Sequence, residues 1–219
     1  MKVTDKLFER VRGLWEEALE KPFVTGMADG SLEESRFRYY MLQDYIYLKE
    51  YIRLLENTKG IAESPVLREF LQIAIDSTNE ETYRVHVPNM KKLGITDEEI
   101  SGAGQSEFSR EYTVYMTRLL EEEGVNAGLV ALLHCSWLYA YIGEKMAERF
   151  PEEIACSQYK SWFDSYACRE YIETNDKWIE VTDEQTEGIS DEETERLCQI
   201  FETCAVFENR FWDMVFAGE

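Results

Sequence analysis

The sequence predicts an all-α fold. Three observations carry that reading: helix-start chemistry recurs along the chain, strand alternation bounded by hairpin turns is missing, and most segments between turn signals carry one apolar stripe at helical spacing. In chain order, Ser31 to Glu34, Thr96 to Glu99 and Ser190 to Glu193 each fit a capping box, in which paired side chains satisfy orphan backbone donors at a helix N-terminus. Ser64-Pro65 marks another start, because proline at the first helical position gives up no hydrogen bond and is preset in φ. Asn126 supplies a further cap. Asp29-Gly30, the one hairpin-like dipeptide, is followed by a helix cap rather than by a strand. The helices so predicted are 4–20, 32–57, 65–92, 105–123, 127–149, 152–165, 168–186 and 191–216. No Gly/Ser/Pro-rich linker, low-complexity tract or repeat period interrupts them, so residues 1–219 read as one domain, a bundle of long helices. The acidic stretch 182–195 reads as a solvated loop and helix start.

Composition excludes several classes of function. The chain has 44 acidic against 23 basic residues and a formal charge of -21, which repels phosphate backbones and anionic membranes. Neither nucleic acid nor a membrane is expected as a partner. The opening MKVTDKLFERVRG lacks a basic start followed by an apolar run, and no stretch approaches the roughly 20 apolar residues of a bilayer span. A cytoplasmic location is expected. The five cysteines, 135, 156, 168, 198 and 204, are odd in number and contain no CxxC pair, so they read as reduced thiols. With two histidines and no Glu-x-x-His motif, no metal site is expected.

Three segments are apolar nearly all round: 37–48, 129–142 and 204–216. Helices of that kind belong in the middle of a bundle. Each contains one residue that is awkward to bury: Asp44, Cys135 and Glu208 respectively. A lone buried carboxylate costs several kcal/mol or has its pKa forced upward, so two unpaired acids in one core call for an explanation. Tyr47 lies three residues after Asp44 and Tyr51 four further on, Tyr139 four after Cys135, and Phe211 three after Glu208. A reactive group beside a ring, three times over, fits the walls of a pocket for a planar, basic ligand. Core aromatics, with the acids paired to Arg or Lys, fit the same spacing. His134 adjoins Cys135, but neighbours on a helix point about 100° apart, so it does not face the thiol. His86 is a lone histidine with Glu80 and Glu81 nearby.

The runs PFVTGMADGSLEESRFRYYMLQDYIYL, ALLHCSWLYAYIGEK and FENRFWDM, in this order and over essentially the whole chain, resemble the TenA proteins, the thiaminase II family. The resemblance implies a heme-oxygenase-like helical bundle without heme, a homotetramer, and no cofactor. It also implies hydrolysis of aminopyrimidines such as 4-amino-5-aminomethyl-2-methylpyrimidine to hydroxymethylpyrimidine in thiamin salvage, with thiamin cleavage as a companion activity. On this resemblance Cys135 matches the nucleophile of the subgroup that retains it, and Glu208 matches the acid/base. Asp44 matches the carboxylate that binds the pyrimidine's amino group and a ring nitrogen. Tyr47 matches a ring-packing position that is Phe in some members; Tyr112, Tyr139 and Tyr166 match pocket tyrosines, and Phe211 a ring over the substrate. His134 departs from a proline found in one member.

The chemistry so implied begins with protonation of a ring nitrogen by Glu208, whose pKa burial would raise. Cys135 then adds as thiolate to the unsubstituted ring carbon, the amine leaves the exocyclic methylene, and water completes the hydrolysis. An ordinary thiol pKa of about 8.5 leaves little thiolate at neutral pH, so a hydroxyl from Tyr112 or Tyr166 is expected to lower it. Two alternatives stand beside this reading: a regulatory or pyrimidine-binding protein without catalysis, and a metal-dependent oxidase on the same fold.

Overall fold

Every regular element in the computed structural model, which describes residues 1–218, is helical. In chain order they are α1 Val3–Leu19, α2 Pro22–Asp29, α3 Glu34–Ile61, α4 Pro65–Glu81, a π turn Thr82–His86, and α5 Val87–Lys92. There follow α6 Asp97–Gly102, α7 Glu107–Glu123, α8 Val125–Arg149, α9 Pro151–Cys156, α10 Lys160–Tyr166, α11 Arg169–Gln185 and α12 Asp191–Ala217. Six of the eight predicted helices are present as single elements, and the three segments read as central are the first half of α3, the middle of α8 and the end of α12.

The local chemistry at the helix starts is partly as the sequence implies. Thr96 and Glu99 form the reciprocal capping box, with Thr96 Oγ1 accepting from Glu99 N at 3.2 Å and Glu99 Oε2 accepting from Thr96 N at 2.9 Å. Ser64 accepts from Leu67 N at 3.3 Å ahead of Pro65. Ser190 makes only half a box, because the Glu193 carboxylate accepts instead from Asn126 Nδ2 at 3.0 Å. The Ser31–Glu34 box is absent. An extra helix, α2, runs to Asp29 and stops at Gly30 in the left-handed region (φ 77°), where Asp29 Oδ1 accepts from Ser31 N at 2.8 Å. α3 therefore starts only after Glu33, with no side-chain cap. Asn126 is not a cap either. Gly124 (φ 83°) opens α8, and Asn126 joins α8 to α11 and α12 through Gln185 and Glu193.

Two predicted helices are interrupted. The segment 152–165 breaks at Ser157, whose hydroxyl donates to Met27 O at 2.7 Å and accepts from Tyr159 N at 3.1 Å, giving the backbone an alternative to helix. The segment 65–92 carries the π turn, closed by Val87 N donating to Thr82 O.

α8 is the axis of the bundle and packs against α7, α10, α11 and α12, while α3 packs against α4, α7 and α8. Contrary to the sequence reading, α8 is long and apolar enough to cross a membrane, yet 67% of its most apolar stretch is covered by the other helices. Leu129 to Leu133 are almost wholly inaccessible, and one continuous core runs from Leu7 to Val215. At about 25 cal/mol per Å² of apolar surface, burying side chains such as Trp15, Trp162 and Trp212 outweighs local helix propensity in setting how these helices meet. The polar residues of interest lie inside that core.

Candidate functional site

α3, α8 and α12 bring Asp44, Cys135 and Glu208 to one place. Asp44, Tyr47 and Tyr139 line two adjoining chambers. The inner one adds Tyr112, Glu208 and Phe211; the next one outward adds Cys135 and Tyr166. The eight residues assigned to the site by the resemblance all line these two adjoining chambers. Aromatic surfaces build its walls: Tyr47 stacks on Tyr112 at 5.9 Å and 17°, Tyr112 on Phe207 at 4.9 Å and 11°, and Tyr139 meets Tyr166 edge-on at 5.0 Å. Gly143 makes the last contact possible. A Cβ there would lie 2.8 Å from the Tyr166 carbonyl carbon, so only glycine lets α10 press Tyr166 onto α8.

The electrostatics follow from burial. Glu208 is 3% exposed, and desolvation, helped by the charge of Asp44, pushes its pKa up to about 8. The nearby Tyr112 hydroxyl and Cys135 thiol work the other way. The thiol is likewise pushed well above its ordinary value, by desolvation first and the Glu208 charge second, with Tyr47 pulling it down. This corrects the expectation that Tyr112 or Tyr166 lowers the thiol: Tyr112 faces Glu208, and Tyr166 OH donates to Glu81 Oε1 at 2.6 Å. The donor beside the thiol is Tyr47, and the net shift is upward. Although Tyr47 and Tyr112 influence these groups, neither hydroxyl makes a well-aligned hydrogen bond. Two orphan buried hydroxyls in an open chamber are suited to a polar ligand.

Asp44 is not unpaired. His86 Nε2 donates to its Oδ2 at 2.7 Å, both side chains being almost wholly buried. Burial opposes a charged imidazole, but the hydrogen bond and charge of Asp44, with the charge of Glu81, more than offset it and raise the His86 pKa. Glu81 and Tyr171 line the Cys135 chamber and His86 holds Asp44, three placements the sequence reading missed. In a regular helix, residues five apart point about 140° away from each other. The π turn's i to i+5 bonding departs from that register, so α-helical periodicity could not place Glu81 at the chamber and His86 on Asp44 together. Replacing His86 by Ala should leave Asp44 a buried, unpartnered carboxylate and cost about 3 kcal/mol. Urea unfolding at pH 7 checks this, and an unchanged midpoint would mean the pair is not stabilising.

His134 points elsewhere, as helix geometry implies. Its Nε2 accepts from Trp15 Nε1 at 3.1 Å beside Phe201, and desolvation lowers its pKa to about 3, so it stays neutral. Among the described residues no group of three or more His, Cys, Asp and Glu side chains is placed to hold a metal ion.

Comparison with known proteins agrees in length and fold. The TENA/THI-4/PQQC family profile matches residues 8–217. An aminopyrimidine aminohydrolase of Halalkalibacterium halodurans is 34% identical over 218 residues, 99% of this chain and 96% of that one. Another, from Helicobacter pylori, is 29% identical over 217 residues, 99% of each chain. The solved structure of a TenA homologue from P. horikoshii OT3 superimposes with a TM-score of 0.88 at 28% identity, covering 100% of both chains.

Proposed function

The chain belongs to the TENA/THI-4/PQQC family, and we propose that it is an aminopyrimidine aminohydrolase, converting an aminomethylpyrimidine to hydroxymethylpyrimidine and an amine. The observation that carries this reading is the convergence of Cys135 and the buried Glu208 carboxyl on two adjoining aromatic chambers, with Asp44 lining both. Full-length relatives that bear the same activity in their names support it.

In this reading the cysteine-retaining subgroup of the family includes the chain. Asp44, held by His86, accepts from the ring's amino group, while Tyr47, Tyr112, Tyr139, Tyr166 and Phe211 enclose the ring. Because burial raises both pKa values, the resting pair carries two protons near neutral pH, and loss of one makes it reactive. The Glu208 carboxylate then takes the thiol's proton and passes it to the ring nitrogen as the Cys135 thiolate bonds to the unsubstituted ring carbon next to it. Ring electrons then expel the amine from the exocyclic methylene, water adds there, and return of the ring proton to Glu208 releases the thiolate. Water is the only co-reactant.

We further propose one domain working as a homotetramer in the cytoplasm, with no nucleic acid or membrane partner. The continuous core supports the first point and the charge of -21 the last. The test is side-by-side incubation with aminomethylpyrimidine, its formyl derivative and thiamin. Release of hydroxymethylpyrimidine from at least one of them, without added cofactor, is expected; release from none would sink the reading.

A further inference from the structure

The chamber of Cys135 holds a second carboxylate that the steps above leave idle. Glu81 is the last residue of α4, where the backbone passes into the π turn. It lines both the Cys135 chamber and an outer chamber that also reaches Arg84, Cys168 and Glu170, and so stands at the neck between them. Tyr166 donates to its Oε1 at 2.6 Å, while the nearby Arg84 is paired with Glu80. Glu81 keeps accessible surface although desolvation raises its pKa, the combination expected of a group facing an enclosed cavity.

Ring chemistry says what passes that neck. The methylene-bearing carbon lies between the carbon that carries the amino group, bound at Asp44, and the carbon attacked by Cys135. Asp44 and Cys135 both line the outer of the two ring chambers, whereas Glu208 lines only the inner one. The methylene substituent therefore points toward Glu81. An amine entering this enclosed chamber loses hydration and, without a partner, tends to shed its proton, yet only the protonated form leaves easily, since the alternative leaving group is an amide anion.

Resting on the aminohydrolase reading, we propose that Glu81 is a further catalytic residue: it binds the substrate's methylene ammonium and keeps it protonated until the carbon–nitrogen bond breaks. The amine enters as ammonium against the Glu81 carboxylate. As the thiol adduct collapses, the bonding pair leaves with nitrogen and neutral ammonia forms. Water then bonds to the methylene and gives its proton to that ammonia, which departs as ammonium through the outer chamber. Glu81 stays ionised throughout, and the sum is amine cation plus water to alcohol plus ammonium.

The test compares Glu81→Gln in the full chain with wild type on two substrates and two ligands. On aminomethylpyrimidine the variant should lose about 100-fold in kcat. On thiamin kcat should change less than about threefold, because a quaternary thiazolium leaves neutral without any proton, even if KM rises. In binding measurements that need no turnover, wild type should prefer aminomethylpyrimidine over the hydroxymethyl product by about tenfold or more. Glu81→Gln should erase that preference while binding the product normally, which also shows that it folds; Glu81→Asp should retain the preference. Equal kcat losses on both substrates, no loss on aminomethylpyrimidine, or a preference that survives in Glu81→Gln overturns the proposal. A wild type that binds with this preference but turns over neither substrate overturns the aminohydrolase reading and the catalytic role of Glu81 with it, leaving ammonium binding alone.

Discussion

Cys135→Ser is expected to lower hydrolysis of aminomethylpyrimidine on the order of 10³-fold or more, with the fold unchanged. The carbon under attack belongs to an aromatic ring, a poor electrophile even when protonated, so the attacking atom must be an ionised, polarizable nucleophile. A serine hydroxyl at the same place has a much higher pKa, and the desolvation that already pushes the thiol up would act on it too. Nothing in the packing resists the change. Cys135 is only partly buried and faces the chamber, and serine is slightly smaller. Binding of hydroxymethylpyrimidine should therefore persist, since Asp44 and the aromatic walls are untouched. Steady-state assays, circular dichroism and product affinity measured together check the prediction. Turnover within about tenfold of wild type would remove Cys135 from the chemistry.

How much of this site was legible in advance depends on which register carries each residue. Asp44, Cys135 and Glu208 stand out because each interrupts an apolar segment of a long, regular helix, and burial of those segments is what α3, α8 and α12 display. The geometry that keeps His134 from Cys135 was legible for the same reason: 3.6 residues per turn holds through α8. Their partners were not legible. His86 reaches Asp44 across 42 positions of sequence, and it does so from a π turn that breaks the helical register. The direction of the thiol's shift was misread because sequence names the possible donors but not the loss of water around the sulfur, which outweighs the one donor present. The Ser31 box failed for a local reason. Asp29 and Gly30 end a short helix there, and that end uses the residues that would otherwise have begun α3.

Glu208→Gln should abolish turnover as thoroughly as the loss of the nucleophile, and should make the protein more stable as pH rises. Glutamine cannot pass a proton to the ring nitrogen or take one from the thiol, so both halves of the proton transfer are lost. The stability effect follows from linkage. The ordinary carboxyl value is 4.5 and the folded value about 8, so between those limits the folded chain binds the extra proton and stability falls as pH rises. Below about pH 4.5 the group is neutral in both states and makes no difference. Above 8 the full cost of an ionised, desolvated carboxylate beside Asp44 is present, on the order of a few kcal/mol. Glutamine never bears that cost, so the variant's advantage in denaturant unfolding should grow from pH 5 to pH 8 and then level off. The same ionisation should govern wild-type catalysis in the opposite sense, because the doubly protonated Cys135–Glu208 pair must lose one proton before attack. kcat/KM should climb with pH through about 8, the range over which ionisation of Glu208 costs stability. A rate that is flat or falling from pH 6 to 8, or a Gln variant no more stable at pH 8 than at pH 5 relative to wild type, would show that burial does not hold this proton in place.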